Sequence, residues 1–233
     1  MSTLCITWWS SWLWKSIVEA FVHAWWDVIV LARSKEKLEA LQQTLWADKV
    51  SFFVTDIRDK ESLKKAFTGI STIDCLINNS GIANWDEAAT DTLDQIKNTI
   101  ATNLIWAMWT TNLALPIMIQ QKAWVIINIS SIAAKETFTT ASSYCASKAW
   151  LTMYGDVVRE EVRKHWIKVI NIHPWATDTS IRTQQERSEY GNQMMDAGII
   201  ATIIVQACLN AMKWIVQEEI TIRPPTGNID FWE

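Results

Sequence analysis

A tyrosine and a lysine four residues apart are the side chains best suited to catalysis in this sequence. Tyr144 and Lys148 stand at i and i+4, so on a helix they share one face and reach the same ligand. A nearby ammonium group favours phenolate over phenol, which moves the pKa of a tyrosine down towards neutral pH. Such a tyrosine can give a proton to a carbonyl oxygen. The same spacing also arises by chance on amphipathic helices, so the pair alone is a weak signal.

Other polar residues stand in a fixed order around this pair. Ser131 precedes the tyrosine by thirteen positions and closely follows an apolar run. Asn78 and Asn79 follow an earlier apolar run, and Asn103 lies in the stretch after it. In a parallel sheet, ligands bind beyond the carboxyl ends of the strands, so polar residues that directly follow strands are candidates for a site.

Strand-like and helix-like segments alternate along the chain and must position these residues. Continuous apolar, β-branched runs are typical of strands covered on both faces. They predict strands at Leu4–Thr7, Val28–Ala32, Val50–Thr55, Ile73–Ile77, Val125–Ile129, Lys168–Ile172 and Glu219–Ile222. Helices are predicted at Ser11–Ala24, Lys35–Leu45, Lys60–Phe67, Leu93–Gln120, Ser143–His165 and Ile199–Met212. The alternation predicts an α/β fold, a Rossmann-like doubly wound parallel sheet of about seven strands with helices on both faces. We expect residues 1–233 to form a single domain, because no linker or repeat divides them.

With these motifs in this order, the chain resembles the short-chain dehydrogenase/reductase family, classical type. That family has an Asn-Asn-Ala-Gly segment, a catalytic asparagine, a serine at this distance before Tyr-x-x-x-Lys, and a later Pro-Gly segment that ends in threonine. Here residues 78–81 read Asn-Asn-Ser-Gly and residues 174–179 read Pro-Trp-Ala-Thr-Asp-Thr. The resemblance extends over essentially the whole chain. It implies an oxidoreductase that transfers a hydride between a nicotinamide cofactor and a small carbonyl compound or secondary alcohol.

The resemblance also implies roles for the catalytic residues. Tyr144 would be the general acid/base, and Ser131 would orient the substrate carbonyl. Lys148 would bind the nicotinamide ribose and lower the pKa of the tyrosine, and Asn103 would hold a water in the proton relay. The segment Ser180–Gly198 would cover the substrate, and its mixed composition suggests only a small or medium carbonyl compound. It contains Arg182, Arg187, Tyr190, Met194 and Met195.

Cofactor-binding residues follow from the same resemblance. Asp56 would meet the adenine amino group, Asn79 would support the central strand and the adenosine ribose, and Thr179 would contact the nicotinamide carboxamide. Taken alone, Asn79 would be assigned to a turn and Thr179 to a helix N-cap. The loop after the first strand has the place of the dinucleotide-binding pattern Thr-Gly-x-x-x-Gly-x-Gly. Tryptophan stands at its three glycine positions: Trp8, Trp12 and Trp14. The cofactor-binding candidates there are Thr7, which matches the pattern, and the spacer residues Ser10, Ser11 and Leu13.

The end of the second strand bears on the choice between NADP and NAD. An NAD site favours an acidic residue there, and an NADP site a basic one. Here Ala32 takes that position and Arg33 follows, with Lys35 and Lys37 nearby. A guanidinium group pairs well with a 2′-phosphate. The sequence therefore favours NADP over NAD, although a solvated arginine at a helix start is the alternative.

Tryptophan and glycine occur in abnormal numbers, with 16 tryptophans and only 6 glycines. Soluble proteins average about 7% glycine. Compared with the family pattern, twelve tryptophans stand where glycine is usual or natural: Trp8, Trp9, Trp12, Trp14, Trp25, Trp46, Trp106, Trp124, Trp150, Trp166, Trp175 and Trp214. Four others suit their surroundings: Trp26, Trp85, Trp109 and Trp232. The pattern indicates systematic replacement.

These indoles predict an impaired protein. One at Trp12 or Trp14 is expected to fill the phosphate volume or to push the helix off the sheet. Overpacking at core positions such as Trp106 and Trp150 is expected to cost about 1–3 kcal/mol each, whereas an exposed site such as Trp46 would tolerate an indole. We expect severely weakened NADP binding and impaired folding. The alternative function is a non-catalytic binding or scaffold protein with a blocked cleft.

Composition argues against other classes of protein. The net charge of −4 supplies no basic groove for nucleic acid, and no apolar segment has the composition of a membrane span. Three histidines show no metal-ligand spacing, and the four separated cysteines are typical of reduced thiols in a cytoplasmic protein. The long helices Leu93–Gln120 and Ser143–His165 resemble those through which family members associate, so a homodimer or homotetramer is implied by analogy.

Overall fold

Seven parallel strands form one sheet in the described part of the chain. The computed structural model describes residues 2–8, 13–46, 48–122, 124–179 and 183–225. The strands are β1 (Thr3–Thr7), β2 (Asp27–Ala32), β3 (Val50–Val54), β4 (Cys75–Asn78), β5 (Val125–Ile129), β6 (Lys168–Pro174) and β7 (Glu219–Ile222). Their order is β3-β2-β1-β4-β5-β6-β7. The predicted Rossmann-like doubly wound sheet is therefore confirmed, and each strand lies at or within a few residues of its predicted position.

Helices connect the strands and cover both faces of the sheet. They are α1 (Leu13–His23), α2 (Lys35–Thr44), α3 (Lys60–Thr68), α4 (Leu93–Ile100), α5 (Trp106–Gln121), α6 (Ser142–Val162), α7 (Gln184–Tyr190) and α8 (Ala197–Met212). Buried side chains of α1, α2 and α8 form one apolar core against the sheet. Those of α3, α5 and α6 form a second core on the opposite face. Within the described ranges, no helix is long and apolar enough to cross a membrane.

Two helical segments differ from the sequence prediction. The stretch predicted as one helix over Leu93–Gln120 contains a π-helical turn, Ala101–Ile105, between α4 and α5. Such turns often mark functional sites, and Asn103 lies inside this one. The short helix α7 was not predicted, because its residues are polar throughout. It begins with a capping box, in which Thr183 and Glu186 satisfy each other's backbone N–H groups.

The register of the central strands aligns their polar ends. Thr7 pairs with Asn78 across β1 and β4, Asn78 with Asn128 across β4 and β5, and Asn128 with Asn171 across β5 and β6. Because parallel strands end at the same edge, the residues that follow these positions meet on one side of the sheet. The candidate site lies at this edge.

Candidate active site

Ser131, Tyr144 and Lys148 line one cavity of about 100 Å³ beyond the carboxyl ends of the central strands. Ser131 lies just after β5, and the other two lie near the start of α6. The three side chains are nearly buried, with exposures of 9%, 8% and 3%. Residues that are distant in sequence thus converge, as predicted from their order along the chain.

Lys148 is held so that its charge acts on the tyrosine. Its Nζ donates a hydrogen bond to the carbonyl of Ile129 at 2.8 Å and lies 5.9 Å from the ring centroid of Tyr144. Burial lowers the pKa of Lys148 from 10.5 to about 8, because desolvation disfavours the ammonium form. Below that pH the lysine carries its positive charge beside the ring of Tyr144.

The Ser131 hydroxyl is oriented by a tight turn. Its Oγ accepts a hydrogen bond from the backbone N–H of Ala133 at 3.1 Å, which starts the 3₁₀ turn Ile132–Ala134. A hydroxyl that accepts such a bond keeps its own hydrogen for donation. The backbone carbonyl of Ser131 is in turn 3.1 Å from Nδ1 of the fully buried His173.

Asn103 is fully buried and ties the π-helical turn to two neighbouring segments. Its Oδ1 accepts from the N–H of Ile82 at 2.8 Å, and its Nδ2 donates to the carbonyl of Ile82 at 2.8 Å and to Ser147 Oγ at 2.9 Å. Both amide hydrogens are therefore used. A Cβ on Gly81 would lie 3.4 Å from Lys148 Nζ and 3.6 Å from Asn103 Oδ1, so these two side chains face the same small space.

The end of β1 and the loop after β4 meet beside this space. Thr7 Oγ1 accepts a hydrogen bond from the N–H of Asn79 at 3.2 Å. The side-chain Oδ1 and Nδ2 of Asn79 are buried and have no hydrogen-bond partner among the described residues. A buried amide without partners costs free energy, so its presence next to a cavity indicates a polar ligand. Asn79 and Thr179 both line the cavity.

A row of three asparagines below the cavity was missed by the sequence analysis. We call Asn78, Asn128 and Asn171 the asparagine row. Asn78 Nδ2 donates to Asn128 Oδ1 at 2.9 Å, and Asn128 Nδ2 donates to Asn171 Oδ1 at 3.0 Å. Gly155 on α6 leaves room for it, since a Cβ there would lie 2.3 Å from Asn171 Oδ1. The row links three strands directly under the residues that carry the site.

A second cleft of about 320 Å³ lies at the end of β2 and is lined by Trp8, Arg33, Ser34, Glu36 and Lys37. Ser34 Oγ caps α2 by accepting from the N–H of Lys37. The cleft therefore combines two cationic side chains with a helix N-terminus, and this setting favours binding of an anion. The Glu36 carboxylate, which also lines the cleft, would repel an anion.

Asp56 is not among the residues that line either cavity. Its carboxylate accepts from Arg58 Nη2 at 2.7 Å and from Arg58 Nε at 3.0 Å. These hydrogen bonds hold the pKa of Asp56 below its usual value. Its expected contact with adenine stays a prediction.

Two stacked indoles occupy the junction of β1 and α1. The rings of Trp8 and Trp14 lie 4.0 Å apart between centroids with an interplanar angle of 26°, and the two residues are 6% and 7% exposed. The buried Nε1 of Trp8 has no hydrogen-bond partner among the described residues. Leu13 at the start of α1 lines the cavity. The candidates Ser10 and Ser11 lie outside the described residues, as does Trp12.

Three other tryptophans were expected to be either buried or exposed, and the structure contradicts this expectation for one of them. Trp106 is 5% exposed and belongs to a core, and Trp46 is 49% exposed, both as expected. The expectation that Trp150 overpacks the core is wrong, because its side chain is 58% exposed. It lies on the solvent side of α6, opposite the face that packs on the sheet.

Apolar side chains form the outer wall of the cavity. The ring of Trp85 lies 5.9 Å from that of Tyr144, and the ring of Phe138 lies 4.7 Å from that of Trp175. Met194, Met195 and Tyr190 of the expected substrate-covering segment pack against this wall through Trp175 and its neighbours. Arg187 in that segment pairs with Asp178 at 2.6 Å, and Arg182 lies outside the described residues.

Comparison with known proteins agrees with this geometry. The short chain dehydrogenase family model matches residues 3–190. This chain belongs to the short-chain dehydrogenase family. It is 29% identical over 201 residues to an uncharacterized oxidoreductase of Staphylococcus aureus strain N315, covering 84% of this chain and 86% of that protein. It is 31% identical over 199 residues to serine 3-dehydrogenase of Rhizobium radiobacter, covering 80% and 78%. The closed form of a serine dehydrogenase complexed with NADP+ superposes with a TM-score of 0.90 at 20% identity, covering 99% and 98%.

Short-chain dehydrogenases use nicotinamide dinucleotides, and the two ends of this site differ in how well they fit one. The catalytic end offers the unpaired buried amide of Asn79 beside Lys148. The phosphate end does not fit, because the Trp8–Trp14 stack fills the junction where the backbone must approach a pyrophosphate. The cavity of about 100 Å³ is also smaller than the roughly 300–1,000 Å³ of ordinary ligand pockets.

Proposed function

We propose that this short-chain dehydrogenase has the catalytic apparatus of an NADP(H)-dependent oxidoreductase that interconverts a small carbonyl compound and a secondary alcohol. The observation that carries the proposal is the placement of Ser131, Tyr144 and Lys148 around one cavity with a buried, charged lysine. A nicotinamide cofactor would supply or accept the hydride. The residues of the chain bind and orient the substrate and handle the proton.

Tyr144 would transfer the proton. In the reductive direction its hydroxyl gives a proton to the substrate oxygen, and the resulting phenolate is stabilised by the Lys148 ammonium. The Ser131 hydroxyl would donate a hydrogen bond to the same oxygen, which polarises the carbonyl. Asn103 would hold a relay water through the free lone pair of its Oδ1, because both of its amide hydrogens are already used.

The preference for NADP over NAD is supported by the second cleft. Arg33 and Lys37 supply positive charge for a 2′-phosphate, and the N-terminus of α2 adds N–H donors. A structurally similar serine dehydrogenase is complexed with NADP+. Asn79 would meet the adenosine ribose, Thr179 the carboxamide and Asp56 the adenine, while Thr7, Ser10, Ser11 and Leu13 would lie along the phosphates.

Substrate size is limited by the apolar wall. Trp85, Phe138 and Trp175 line the cavity, and Met194 packs in one apolar cluster with Trp175. This wall supports a small, largely apolar carbonyl compound.

The direct test is NADPH oxidation in the presence of small ketones and aldehydes, measured with the loop tryptophans Trp8, Trp9, Trp12 and Trp14 replaced by glycine. We expect turnover in this variant and a loss of about 10²–10⁴-fold when Tyr144→Phe is added, since that change removes the proton donor but keeps the ring. NADH should support slower turnover. A folded loop variant that binds NADPH but turns over no carbonyl compound would refute the proposal.

A second function is favoured by the Trp8–Trp14 stack itself. With the cleft filled, the chain would be a non-catalytic binding or scaffold protein on the same fold. This alternative predicts that the unmodified chain unfolds in a cooperative thermal transition and that NADPH does not shift its melting temperature. The alternative fails if the unmodified chain oxidises NADPH with any of the small ketones or aldehydes.

Association of two or four copies is part of the proposal. Exposed apolar side chains lie on α6, including Trp150, Met153 and Val157, at 58%, 61% and 51% exposure. Burial of such a surface against a second copy would remove apolar area from water. Light scattering of the purified protein gives its mass in solution, and a strictly monomeric protein would contradict this part. We also propose a cytoplasmic location and a single domain over residues 1–233.

A further inference from the structure

Tryptophan stands at backbone positions that favour glycine. Trp25, Trp166 and Trp214 have φ angles of 66°, 64° and 69°, in the left-handed region where a Cβ meets the following carbonyl. By contrast, none of Gly69, Gly81, Gly155, Gly191 and Gly198 has a φ in that region. Among the described residues other than glycine, five have such a φ, and three of these five are tryptophans.

The hydrogen bonds around two of these tryptophans identify them as helix C-caps of the Schellman type. After α1, Trp26 N donates to Phe21 O at 3.1 Å and Trp25 N to Val22 O at 2.9 Å. After α8, Ile215 N donates to Asn210 O at 3.1 Å. This pattern places Trp25 and Trp214 at the position after the cap, which is usually glycine.

The indoles at these positions pack at the surface against other tryptophans, Trp25 against Trp46 at 5.6 Å and Trp166 against Trp214 at 4.9 Å between ring centroids. The exposures of Trp25, Trp166 and Trp214 are 65%, 61% and 69%, so most of each side chain is in water. Trp26, the next residue to Trp25, is the opposite case. It is 3% exposed, has no left-handed φ, and packs edge-on against Phe21 with centroids 5.2 Å apart. The chain therefore contains two kinds of tryptophan, one required by packing and one in conflict with the backbone.

The junction of β1 and α1 repeats the conflict at the proposed cofactor site. Glycines after the first strand of such a fold allow the tight turn, the close approach of a pyrophosphate and the packing of helix on strand. Trp8 and Trp14 stand there instead, and their stack leaves the indole Nε1 of Trp8 buried without a partner. This part of the argument rests on the proposed function, whereas the helix-end part does not.

We propose that the working protein carries glycine at residues 8, 14, 25, 166 and 214, because the codon rendered as tryptophan there is decoded as glycine in the cell that makes it. Trp26 and Trp85 are true tryptophans. UGG is the tryptophan codon of the standard code. If tryptophans of two kinds differ in how they are decoded, the second kind must be encoded by another codon. UGA meets this requirement, because some genetic codes read it as tryptophan and it differs by a single base from the glycine codon GGA. This change of decoding at five positions lowers the number of tryptophans from 16 to 11 and raises the number of glycines from 6 to 11.

The sharpest test compares residues 25 and 26, which are adjacent and belong to opposite classes. We expect the gene to carry UGA at codon 25 and UGG at codon 26. Trypsin cleaves after Lys15 and Arg33, and the peptide 16–33 of the protein isolated from its own cell should read Ala-Gly-Trp-Asp by tandem mass spectrometry. UGG at both codons, or a peptide that reads Ala-Trp-Trp-Asp, would overturn the proposal.

Melting temperatures of recombinant variants give a second, independent test. Trp25→Gly should leave the melting temperature unchanged or raise it, because it removes left-handed strain, whereas Trp26→Gly should lower it by several degrees because it empties a core site. A loss at Trp25→Gly as large as at Trp26→Gly would count against the proposal. Neither the peptide sequence nor the melting temperature depends on enzymatic activity. If peptide 16–33 carries glycine but the protein with glycine in its loop fails to bind NADPH, the proposed decoding is supported and the proposed function is refuted.

Discussion

Replacement of Gly155 by alanine tests whether the asparagine row holds the centre of the sheet together. Gly155 lies inside α6, where alanine would by itself stabilise the helix by about 1 kcal/mol. The added Cβ would, however, lie 2.3 Å from Asn171 Oδ1 and 2.6 Å from Asn128 Nδ2, far inside contact distance. The row must then shift, and the hydrogen bond between these two side chains is lost.

The size of the effect follows from what the shift leaves unpaired. Asn128 and Asn171 are 1% and 0% exposed, so neither amide finds water when their hydrogen bond breaks. Two buried polar groups without partners cost about 1–3 kcal/mol each, against the helical gain of about 1 kcal/mol. We expect Gly155→Ala to lower the free energy of unfolding by about 3 kcal/mol, which corresponds to about 6–12 °C in melting temperature.

Urea unfolding of Gly155→Ala, Asn171→Ala and the double variant separates this cause from others. With Asn171 shortened, its amide oxygen no longer opposes the new Cβ, so the alanine at 155 should cost at most half as much as in the parent chain. A Gly155→Ala variant as stable as the parent, or additive effects in the double variant, would refute the role given to the row. The glycine would then be an ordinary weak point of a helix.

Three further predictions follow from the site. Burial lowers the pKa of Lys148 to about 8, so the unfolded chain binds more protons between about pH 8 and 10.5, and stability should rise with pH across that window by up to about 3 kcal/mol. Lys148→Met should lack this rise in pH-dependent urea unfolding, and an equal rise in both proteins would contradict the assignment. Trp8→Gly together with Trp14→Gly should restore an NADPH-dependent increase in melting temperature, about 5–11 °C at a hundredfold excess over the dissociation constant. The same shift in the unmodified chain would show that the indole stack does not block the site. Cys145 is the half-buried thiol, whereas Cys5, Cys75 and Cys208 are buried and burial raises the pKa of Cys5 to about 12. A native thiol titration should therefore show a single fast-reacting group that disappears in Cys145→Ser, and several fast groups would mean that the core is open.

The strands and the meeting of three candidate site residues at one edge could be predicted, because both depend on local patterns and on one topological rule. Apolar runs such as Val125–Ile129 mark strands buried on both faces, and parallel strands bring the residues after them to one edge. Ser131 meets Tyr144 and Lys148 there, although it follows β5 and the other two lie on α6. Their distances and the burial of Lys148 depend on packing, which no spacing along the chain reveals.

The missed and mistaken features are those that depend on partners across the fold. Asn128 and Asn171 stand inside apolar runs, and only the register of β5 and β6 shows that they face each other. The π-helical turn around Asn103 has no periodicity that differs from an α-helix over so few residues. The prediction that Trp150 is a core residue fails because the direction of a side chain around α6 depends on which face of the helix meets the sheet.

The strand order has a consequence for synthesis on the ribosome. β1, β2 and β3 emerge first and can assemble in one direction. β4 then adds at the free edge of β1, and β5, β6 and β7 each add to the strand before them. No later strand has to insert between two that are already paired, so the nascent chain never needs to undo structure in order to finish. Until residues 75–78 leave the exit tunnel, however, one edge of β1 has no strand paired to it. A pause in translation just before β4 would prolong that exposure and favour aggregation, whereas a pause after β4 would leave the edge covered.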